Sequence, residues 1–460
     1  MRVAETTDAL AAPRRESVRL EKAGLLPPAN IHWRIKAIVG GSIGNLIEWY
    51  DWFVYSSFAL YFAGVFFPKG DQTAQLLNSA AIFAVGFLMR PIGSWLLGIY
   101  ADRHGRRAAL VVSMLLMSAA SLVAAVVPGY ATIGIFAPAI LLLSRIAQGI
   151  SLGAEYGTVA TYLSEVAGNE RRGFLASFQY VTMIVGQLLA MLVLIVLQNI
   201  LTDEQLVAWG WRIPFAIGAA GAVVALWIRR GLAESEAFVA LQKRGRSFSS
   251  WQMMAQYPRE ILIVLGLTVG GTVGFYTYGT YMQKFLVNTS GFSRDTATLI
   301  TALAMVVWLL AQPVFGWISD IVGRKPLLIA YGGLGALSTI PILSTLANTH
   351  VALNAFLLVS LALIIQTAYT SIAGLFKAEL FPTEIRALGV GLPYAIVVSA
   401  VGGTAEFVAL ALKQAGHETW FYGYVTVLMT VSLMTALCMR DTKRHSRIVA
   451  DEKALGDERQ

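Results

Sequence analysis

Long apolar stretches, separated by short polar segments, follow one another along the chain from Ile35 to Met439. An α-helix needs about 20 mainly apolar residues to cross the roughly 30 Å of hydrocarbon in a bilayer. The pattern predicts twelve transmembrane helices, at approximately 37–63, 76–99, 108–127, 134–164, 174–199, 211–229, 260–287, 297–318, 326–346, 353–376, 388–412 and 419–439. The expected fold class is therefore an all-α integral membrane protein.

The amino-acid composition agrees with lipid as the solvent. Of the 460 residues, 56% are hydrophobic and only 13% are charged, whereas about 25% are charged in an ordinary soluble domain. A single cysteine, Cys438, excludes an internal disulfide and a cysteine-based metal site, and the five histidines are too scattered to suggest a metal cluster. We therefore expect no metal and no cofactor.

The basic residues predict the orientation of the chain in the membrane. All but seven of the 35 lysines and arginines fall in the two tails or in the loops that follow the even-numbered predicted helices. Because loops rich in Lys and Arg stay in the cytosol, we expect both termini there, in agreement with an even number of spans. The first 30 residues lack the apolar core of a secretory signal and are expected to form a cytosolic tail. This topology explains the net charge of +8 without nucleic acid.

Two loop motifs occur twice and indicate an internal repeat. The residues Gly98, Asp102, Gly105, Arg106 and Arg107 recur at the same spacing as Gly316, Asp320, Gly323, Arg324 and Lys325, and the pair Glu165 and Arg172 recurs as Glu379 and Arg386. We predict a cytosolic tail at 1–34, a six-helix half at 35–229, a cytosolic linker at 230–259, a second half at 260–440 and a tail at 441–460. Two such pseudo-symmetric halves around a midplane site are typical of transporters that work by alternating access.

The repeated loop residues are expected to act as gates. An acid near one helix end and basic residues in the loop can pair between helices and hold one conformation of the transporter. The predicted gating residues are Asp102, Arg106, Glu165 and Arg172 in the first half and Asp320, Arg324, Glu379 and Arg386 in the second.

Ionisable residues lie inside the predicted spans of the first half. Each costs at least about 2.5 to 3.5 kcal/mol near the bilayer centre, so each indicates a function or a paired partner. Glu48, Asp51 and Tyr55 follow one stripe of the first span, and Arg90 directly precedes Pro91 in the second. In the fourth span, the residues within about 100° of one another are Arg145, Gln148, Glu155 and Tyr156. Salt bridges that only lock helices together are the alternative interpretation.

The spans of the second half contain more neutral hydrogen-bonding groups. Tyr276, Thr280 and Gln283 share one face of the seventh span and are followed by Lys284, while Glu406 lies in the eleventh. These groups predict either substrate contacts or the ordinary hydrogen bonds that join membrane helices.

Several of these motifs resemble a known family. The loop that begins at Gly98 and the residues Arg145, Gln148 and Gly149 resemble signatures of the major facilitator superfamily. The first span, GNLIEWYDWFVYSSFALYFAGVFFP from Gly44 to Pro68, resembles its metabolite:proton symporter family. Within that family the chain is most similar to the α-ketoglutarate-transporting members, through GFLMRPIGSWLLG (86–98), AEYGTVATYLSEVA (154–167), RRGFLASFQYVT (171–182), WGWRIPF (209–215), FYTYGTYMQKFLVNTSG (275–291) and KAELFPTEIRALGVG (377–391).

The resemblance covers nearly the whole chain from Ile35 to Arg440 and implies a bacterial inner-membrane symporter that imports a small dicarboxylate, α-ketoglutarate first, together with protons. Its partners would be the organic anion, protons and the lipid bilayer, and we expect a monomer because two halves already enclose a site.

The residues themselves predict roles that agree with this function. Arg90 is the expected anchor for a substrate carboxylate, because a guanidinium fork matches a carboxylate and stays charged. The predicted groups around the substrate are Tyr55, Tyr156, Tyr276, Gln283 and Lys284. Asp51, and after it Glu48, is the expected proton carrier beside Arg145, in a cluster that also contains Glu155.

Other functions remain open at this point. The substrate could be another organic anion, such as citrate or shikimate, or a zwitterion such as betaine or proline. The chain contains no HExxH motif, and its GxSxG matches at 40–44 and 149–153 lie inside predicted transmembrane helices rather than in the strand-to-helix turn of a nucleophile elbow, so neither indicates a membrane enzyme. A membrane sensor would need a soluble signalling module, for which the polar tails are too short.

Overall fold

The computed structural model describes residues 31–68, 70–104, 106–153, 160, 164, 171–230, 256–382 and 385–450. The chain divides into the units Met1–Ile43, described only by the first turns of a helix, and Gly44–Gln460, to which all the packing below refers. The described residues form twelve main helices and no strand: α1 Ile31–Phe66, α2 Gln72–His104, α3 Arg106–Val126, α4 Phe136–Leu152, α5 Arg172–Ile200, α6 Arg212–Arg230, α7 Pro258–Asn288, α8 Arg294–Val322, α9 Arg324–Ala347, α10 Ala352–Leu380, α11 Arg386–Gln414 and α12 Glu418–Cys438.

Each predicted span corresponds to one of these helices, which confirms the all-α membrane fold. Eight are long and apolar enough to cross a membrane, and a ninth span forms if α6 is joined to the turn Asp203–Gly210, from which it is bent by 46°. The fourth predicted span reached residue 164, but α4 is described only to Leu152, and residues 154–159 lie outside the described part.

The helix packing repeats after six helices. Within the first half α2 packs on α4 and α3 packs on α6, and within the second half α8 packs on α10 and α9 packs on α12. Between the halves, α2 packs on α11 in the same way that α8 packs on α5. The structure therefore has the two-fold repetition that the loop motifs predicted. The exact boundaries of tails and linker remain a prediction.

Glycines allow α2 and α4 to approach closely. A Cβ added to Gly149 or Gly153 would overlap the backbone carbonyl oxygens of Gly86 or Arg90. Small residues at such interfaces bring helix backbones together in membranes. This contact fixes the backbone of α2 at Arg90 against α4.

A proline joins the two halves beside Arg90. Pro91 lies inside α2, and because proline has no N–H, the carbonyl oxygen four residues earlier, on Phe87, loses its helical hydrogen bond. Ser399 of α11 donates a hydrogen bond to that oxygen at 2.6 Å. The interruption of α2 thus becomes a contact between the halves.

Two π-helical segments face this region. They comprise Phe275–Tyr281 in α7 and Val398–Gly402 in α11, and an added Cβ at Gly402 would overlap the ring of Tyr276. Such segments are rare and are frequently found at functional sites. Here they direct Tyr276 towards α2.

Candidate functional site

Arg90 is buried in a box of aromatic rings between the halves. Its guanidinium carbon lies 4.0 Å from the ring centre of Phe87, 4.3 Å from that of Trp52 and 5.3 Å from that of Trp49. The guanidinium hydrogen-bonds the hydroxyl of Tyr276, while its Nε and Nη2 have no hydrogen-bond partner among the described residues. Buried donors normally have partners, so this edge of the guanidinium is suited to bind an anion.

Asp51 and Arg145 form a second buried charged cluster. The Asp51 carboxylate accepts hydrogen bonds from Gln148 Nε2 at 2.6 Å and from the hydroxyl of Ser121. It attracts Arg145 electrostatically without a direct ion pair in the described part of the chain. The Arg145 guanidinium lies 4.1 Å from the ring centre of Tyr55. Glu48 is buried one turn before Asp51. The predicted proton-coupling residues that the structure describes therefore lie in one region.

A third cluster contains Lys284, which the sequence assigned to substrate binding. Its Nζ lies 2.6 Å from Glu406 Oε1 and donates to Ser56 Oγ at 2.8 Å. Ser56 Oγ in turn lies 3.4 Å from Glu406 Oε2. The three groups are buried and come from α7, α11 and α1. In this conformation the ammonium of Lys284 is neutralised by Glu406.

Two other predicted substrate contacts join helices in this conformation. The Tyr55 hydroxyl donates to the Ser79 carbonyl oxygen at 2.9 Å and accepts from Ser79 Oγ at 3.1 Å. Gln283 Nε2 donates to Thr298 Oγ1 at 2.9 Å. Their assignment to substrate remains a prediction, and Glu155 and Tyr156 lie outside the described residues.

Sequence reasoning missed the partners that complete these clusters. Glu406 was visible as an acid in an apolar span, but its spacing could not identify Lys284, 122 residues away, as its partner. Lys377 was also missed, because the tenth predicted span ended at residue 376, whereas α10 continues to Leu380. Its Nζ is buried 4.4 Å from the ring centre of Tyr394, which interacts electrostatically with Arg90.

No group of acids, histidines and cysteines in the described residues could hold a metal ion.

The predicted gate of the second half joins α5 and α8. Asp320 accepts hydrogen bonds from the backbone N–H groups of Gly173 at 2.7 Å and Phe174 at 2.9 Å, at the start of α5. Arg324 lies 3.0 Å from Asp320 and 3.3 Å from Glu379. A carboxylate at a helix N-terminus is favoured by the helix dipole. Asp320 therefore fastens one half to the other.

The other predicted gating residues differ in what the structure describes. Arg386 Nε donates to the carbonyl oxygens of Ala378 and Phe381 at 3.2 and 3.1 Å, so it caps the end of α10. Arg172 is buried at the start of α5. The side chains of Asp102, Arg106 and Glu165 lie outside the described part.

Replacing Asp320 by asparagine should open this end of the protein. Hydrogen bonds to charged groups contribute about 1.5–3 kcal/mol each, so losing the charge is expected to raise exposure of the α5–α8 contact about tenfold or more. Ser177 lies against Gly316 in that contact. The measurement is the labelling rate of Ser177→Cys by a maleimide in a Cys438→Ser background.

The control for this experiment is Glu418→Gln. Glu418 pairs with Lys413 at 3.2 Å within the second half, so its loss leaves the contact between the halves intact. Equal labelling rates for Asp320→Asn and the parent protein would show that Asp320 does not hold the halves together.

Comparisons with known proteins identify the family. The family described as "Sugar (and other) transporter" matches residues 37–251 and 242–452. The chain is 51% identical over 417 residues to the alpha-ketoglutarate permease of Escherichia coli (strain K12), covering 90% of this chain and 96% of that protein. It is 32% identical to the citrate-proton symporter of Klebsiella pneumoniae, covering 88% and 91%, and 31% identical to the proline/betaine transporter of Salmonella typhimurium, covering 88% and 83%.

Solved structures agree at the level of the fold. The proton:xylose symporter XylE, a protein of the major facilitator superfamily, superposes with a TM-score of 0.70 at 22% identity, over 90% of this chain and 98% of that one. A partially occluded inward-open form of XylE from E. coli gives a TM-score of 0.68. At this identity the likeness concerns the fold alone. Taken together, the relatives and the fold make the chain a multi-pass membrane transporter rather than an enzyme, and it belongs to the sugar (and other) transporter family, with the twelve-helix, two-half fold of the major facilitator superfamily.

Proposed function

We propose that this protein is a proton-coupled symporter that imports a small dicarboxylate, α-ketoglutarate first, by alternating access. The observation that carries the proposal is the buried edge of Arg90, whose Nε and Nη2 lie free of partners among the described residues, inside an aromatic box. Two parallel N–H groups match the two oxygens of a carboxylate. The 51% identical relative, an alpha-ketoglutarate permease, supports a dicarboxylate as the substrate.

Proton coupling follows from the charge of the substrate. A dianion that enters a cell with a negative interior opposes about 2.3 kcal/mol per charge per 100 mV. Two protons carried with the dianion would cancel this charge. The buried Asp51 is the proposed carrier of one proton, because Arg145 stabilises the ionised form and the carboxylate loses that support when the helices separate.

The test is uptake of radiolabelled α-ketoglutarate into proteoliposomes with an inward proton gradient. We expect accumulation that a protonophore abolishes. Unlabelled citrate, shikimate, proline and betaine serve as competitors, since relatives named for citrate and for proline/betaine share 31–32% of the sequence. If properly inserted protein takes up citrate but no α-ketoglutarate, the substrate is citrate rather than α-ketoglutarate.

The orientation follows from the distribution of basic residues. We propose that both termini lie in the cytosol of a bacterial cell and that one copy of the chain is the transporting unit. In a Cys438→Ser background, Ser17→Cys and Ala454→Cys should resist a membrane-impermeant maleimide in intact cells. Asp71→Cys, in the exposed loop between α1 and α2, should react. Labelling of the tail positions in intact cells would show that the termini lie outside the cytosol and contradict the proposed orientation.

A further inference from the structure

The Lys284–Glu406–Ser56 cluster joins the halves at a buried position. Lys284 and Glu406 belong to the second half, and Ser56, which accepts a hydrogen bond from Lys284 at 2.8 Å, belongs to the first. Lys284 is 1% and Glu406 is 4% exposed, so neither charge is compensated by bulk water. A buried ion pair is weak evidence for stability alone, because removing both charges from water is costly. Its position suggests a role in transport.

The cluster lies close to the Arg90 site. Gly402 packs against the ring of Tyr276, whose hydroxyl hydrogen-bonds Arg90. Glu406 follows Gly402 by one turn of α11, about 6 Å along the helix axis. The Lys284–Glu406 pair therefore lies one turn along α11 from the contact between Gly402 and Tyr276.

The charges allow Lys284 only one anionic partner at a time. With Glu406 ionised, the pair is neutral. A substrate carboxylate that approached Lys284 would place two anions on one cation in a buried site, which is strongly unfavourable. A proton on Glu406 removes the conflict. The carboxylate forms an O–H bond, the ion pair with Lys284 breaks, and the ammonium is released to the substrate.

The groups that face Glu406 are compatible with this exchange. Lys284 contacts it from α7, and Ser56 contacts it from α1. The phenol groups of Tyr55 on α1 and Tyr281 on α7 lie within its electrostatic reach, and Tyr55 also lies beside Arg145. The cluster thus adjoins the Asp51 region without sharing its hydrogen bonds.

We propose that Glu406 is a second proton-binding site, and that its protonation frees Lys284 to bind the substrate carboxylate that Arg90 does not hold. The proposal rests on the proposed function. Asp51 and Glu406 then carry one proton each, and a dianion crosses the membrane without net charge. A proton and a substrate carboxylate must arrive at this cluster together, which couples their movements.

The test is the effect of membrane potential on Glu406→Gln. Glutamine resembles the protonated acid, so dicarboxylate binding is expected to persist while one proton is lost per cycle. Uptake by the parent protein in proteoliposomes should be unchanged by a potassium–valinomycin potential. Accumulation by Glu406→Gln should fall about 50-fold at 100 mV inside negative, because one negative charge is uncompensated. Glu418→Gln, in the Lys413 ion pair, should behave as the parent protein.

Direct proton counting completes the test without a variant. A pH-sensitive dye inside the vesicles should report two protons for each α-ketoglutarate taken up by the parent protein. One proton per substrate, or a Glu406→Gln protein indifferent to potential, overturns the proposal while the proposed function stands. A correctly inserted parent protein that takes up no dicarboxylate overturns the proposed function and this proposal with it.

The second buried lysine offers a competing anchor. Lys284→Met should raise the KM for α-ketoglutarate at least about tenfold, as expected for losing a charged contact. Lys377→Met tests the alternative, since Lys377 lies against Tyr394, which interacts electrostatically with Arg90. A large rise in KM for Lys377→Met with none for Lys284→Met would show that Lys377 binds the second carboxylate. That result would overturn the proposal that Lys284 is released to bind it.

Discussion

Arg90→Lys is expected to lower α-ketoglutarate uptake at least about 100-fold, although it keeps the positive charge. The guanidinium carbon lies 4.0 and 4.3 Å from the centres of two aromatic rings, and the group offers two neighbouring N–H groups to one carboxylate. An ammonium is a compact, strongly hydrated point charge with no such fork. A 100-fold loss corresponds to about 2.7 kcal/mol, which is within the range of hydrogen bonds to charged groups.

The measurement is the initial uptake rate at several substrate concentrations, normalised to inserted protein. The matched control is Arg212→Lys. Arg212 donates to the carbonyl oxygens of Ala125 and Val127 at the end of α3, at 2.9 and 2.6 Å, and is remote from the Arg90 cluster in sequence and in partners. We expect it to retain uptake within about twofold. Similar rates for Arg90→Lys and Arg212→Lys would remove Arg90 as the carboxylate anchor.

The fold could be predicted from the sequence because the signals for it are local. The length of an apolar stretch depends on adjacent residues, so twelve helices were visible without any knowledge of packing. The loop repeat added the two-half arrangement, and the packing of α2 on α11 and of α8 on α5 agrees with it. Only helix ends differed, since α1 begins at Ile31 and α2 continues to His104 beyond their apolar cores.

The site was predictable only as a set of charges. Arg90 was identified because an arginine in an apolar span is costly, but its box is built by Trp49 and Trp52 on a different helix. Lys284 lies 228 residues from Ser56, and no periodicity relates the two. At the gate, Asp320 accepts hydrogen bonds from backbone N–H groups of α5. Because almost every residue has a backbone N–H group, the sequence does not indicate which ones Asp320 contacts. Contacts between distant helices therefore had to come from the structure.

The clusters share one physical arrangement. Each contains a buried cation. Arg145 lies near Asp51 and Lys284 pairs with Glu406, whereas the Nε and Nη2 atoms of Arg90 have no partner among the described residues and can bind a carboxylate. The two carboxylates of a substrate dianion would neutralise Arg90 and Lys284, and the two protons on Asp51 and Glu406 would keep the total charge of these groups the same as before binding. This balance connects the selection of the substrate to the source of energy.

Asp51→Asn should abolish the concentration of α-ketoglutarate in vesicles with a negative interior. With two protons per dianion, a gradient of one pH unit permits about 100-fold accumulation, independent of potential. Loss of one proton lowers this limit about tenfold and leaves one negative charge, which costs a further factor of about 50 at 100 mV. The expected ratio of inner to outer substrate is therefore below one.

Asparagine suits this test because it nearly keeps the shape of the side chain. Its oxygen can still accept hydrogen bonds from Gln148 and Ser121, so the helices α1, α3 and α4 should stay packed, whereas it cannot take up a proton. Exchange of internal for external α-ketoglutarate, which needs no net proton movement, should persist within about tenfold of the parent rate. Asp295→Asn, at the exposed start of α8, is the control and should accumulate substrate normally. An Asp51→Asn protein that still concentrates α-ketoglutarate against this potential would exclude Asp51 as a proton carrier and leave Glu48 as the next residue to test.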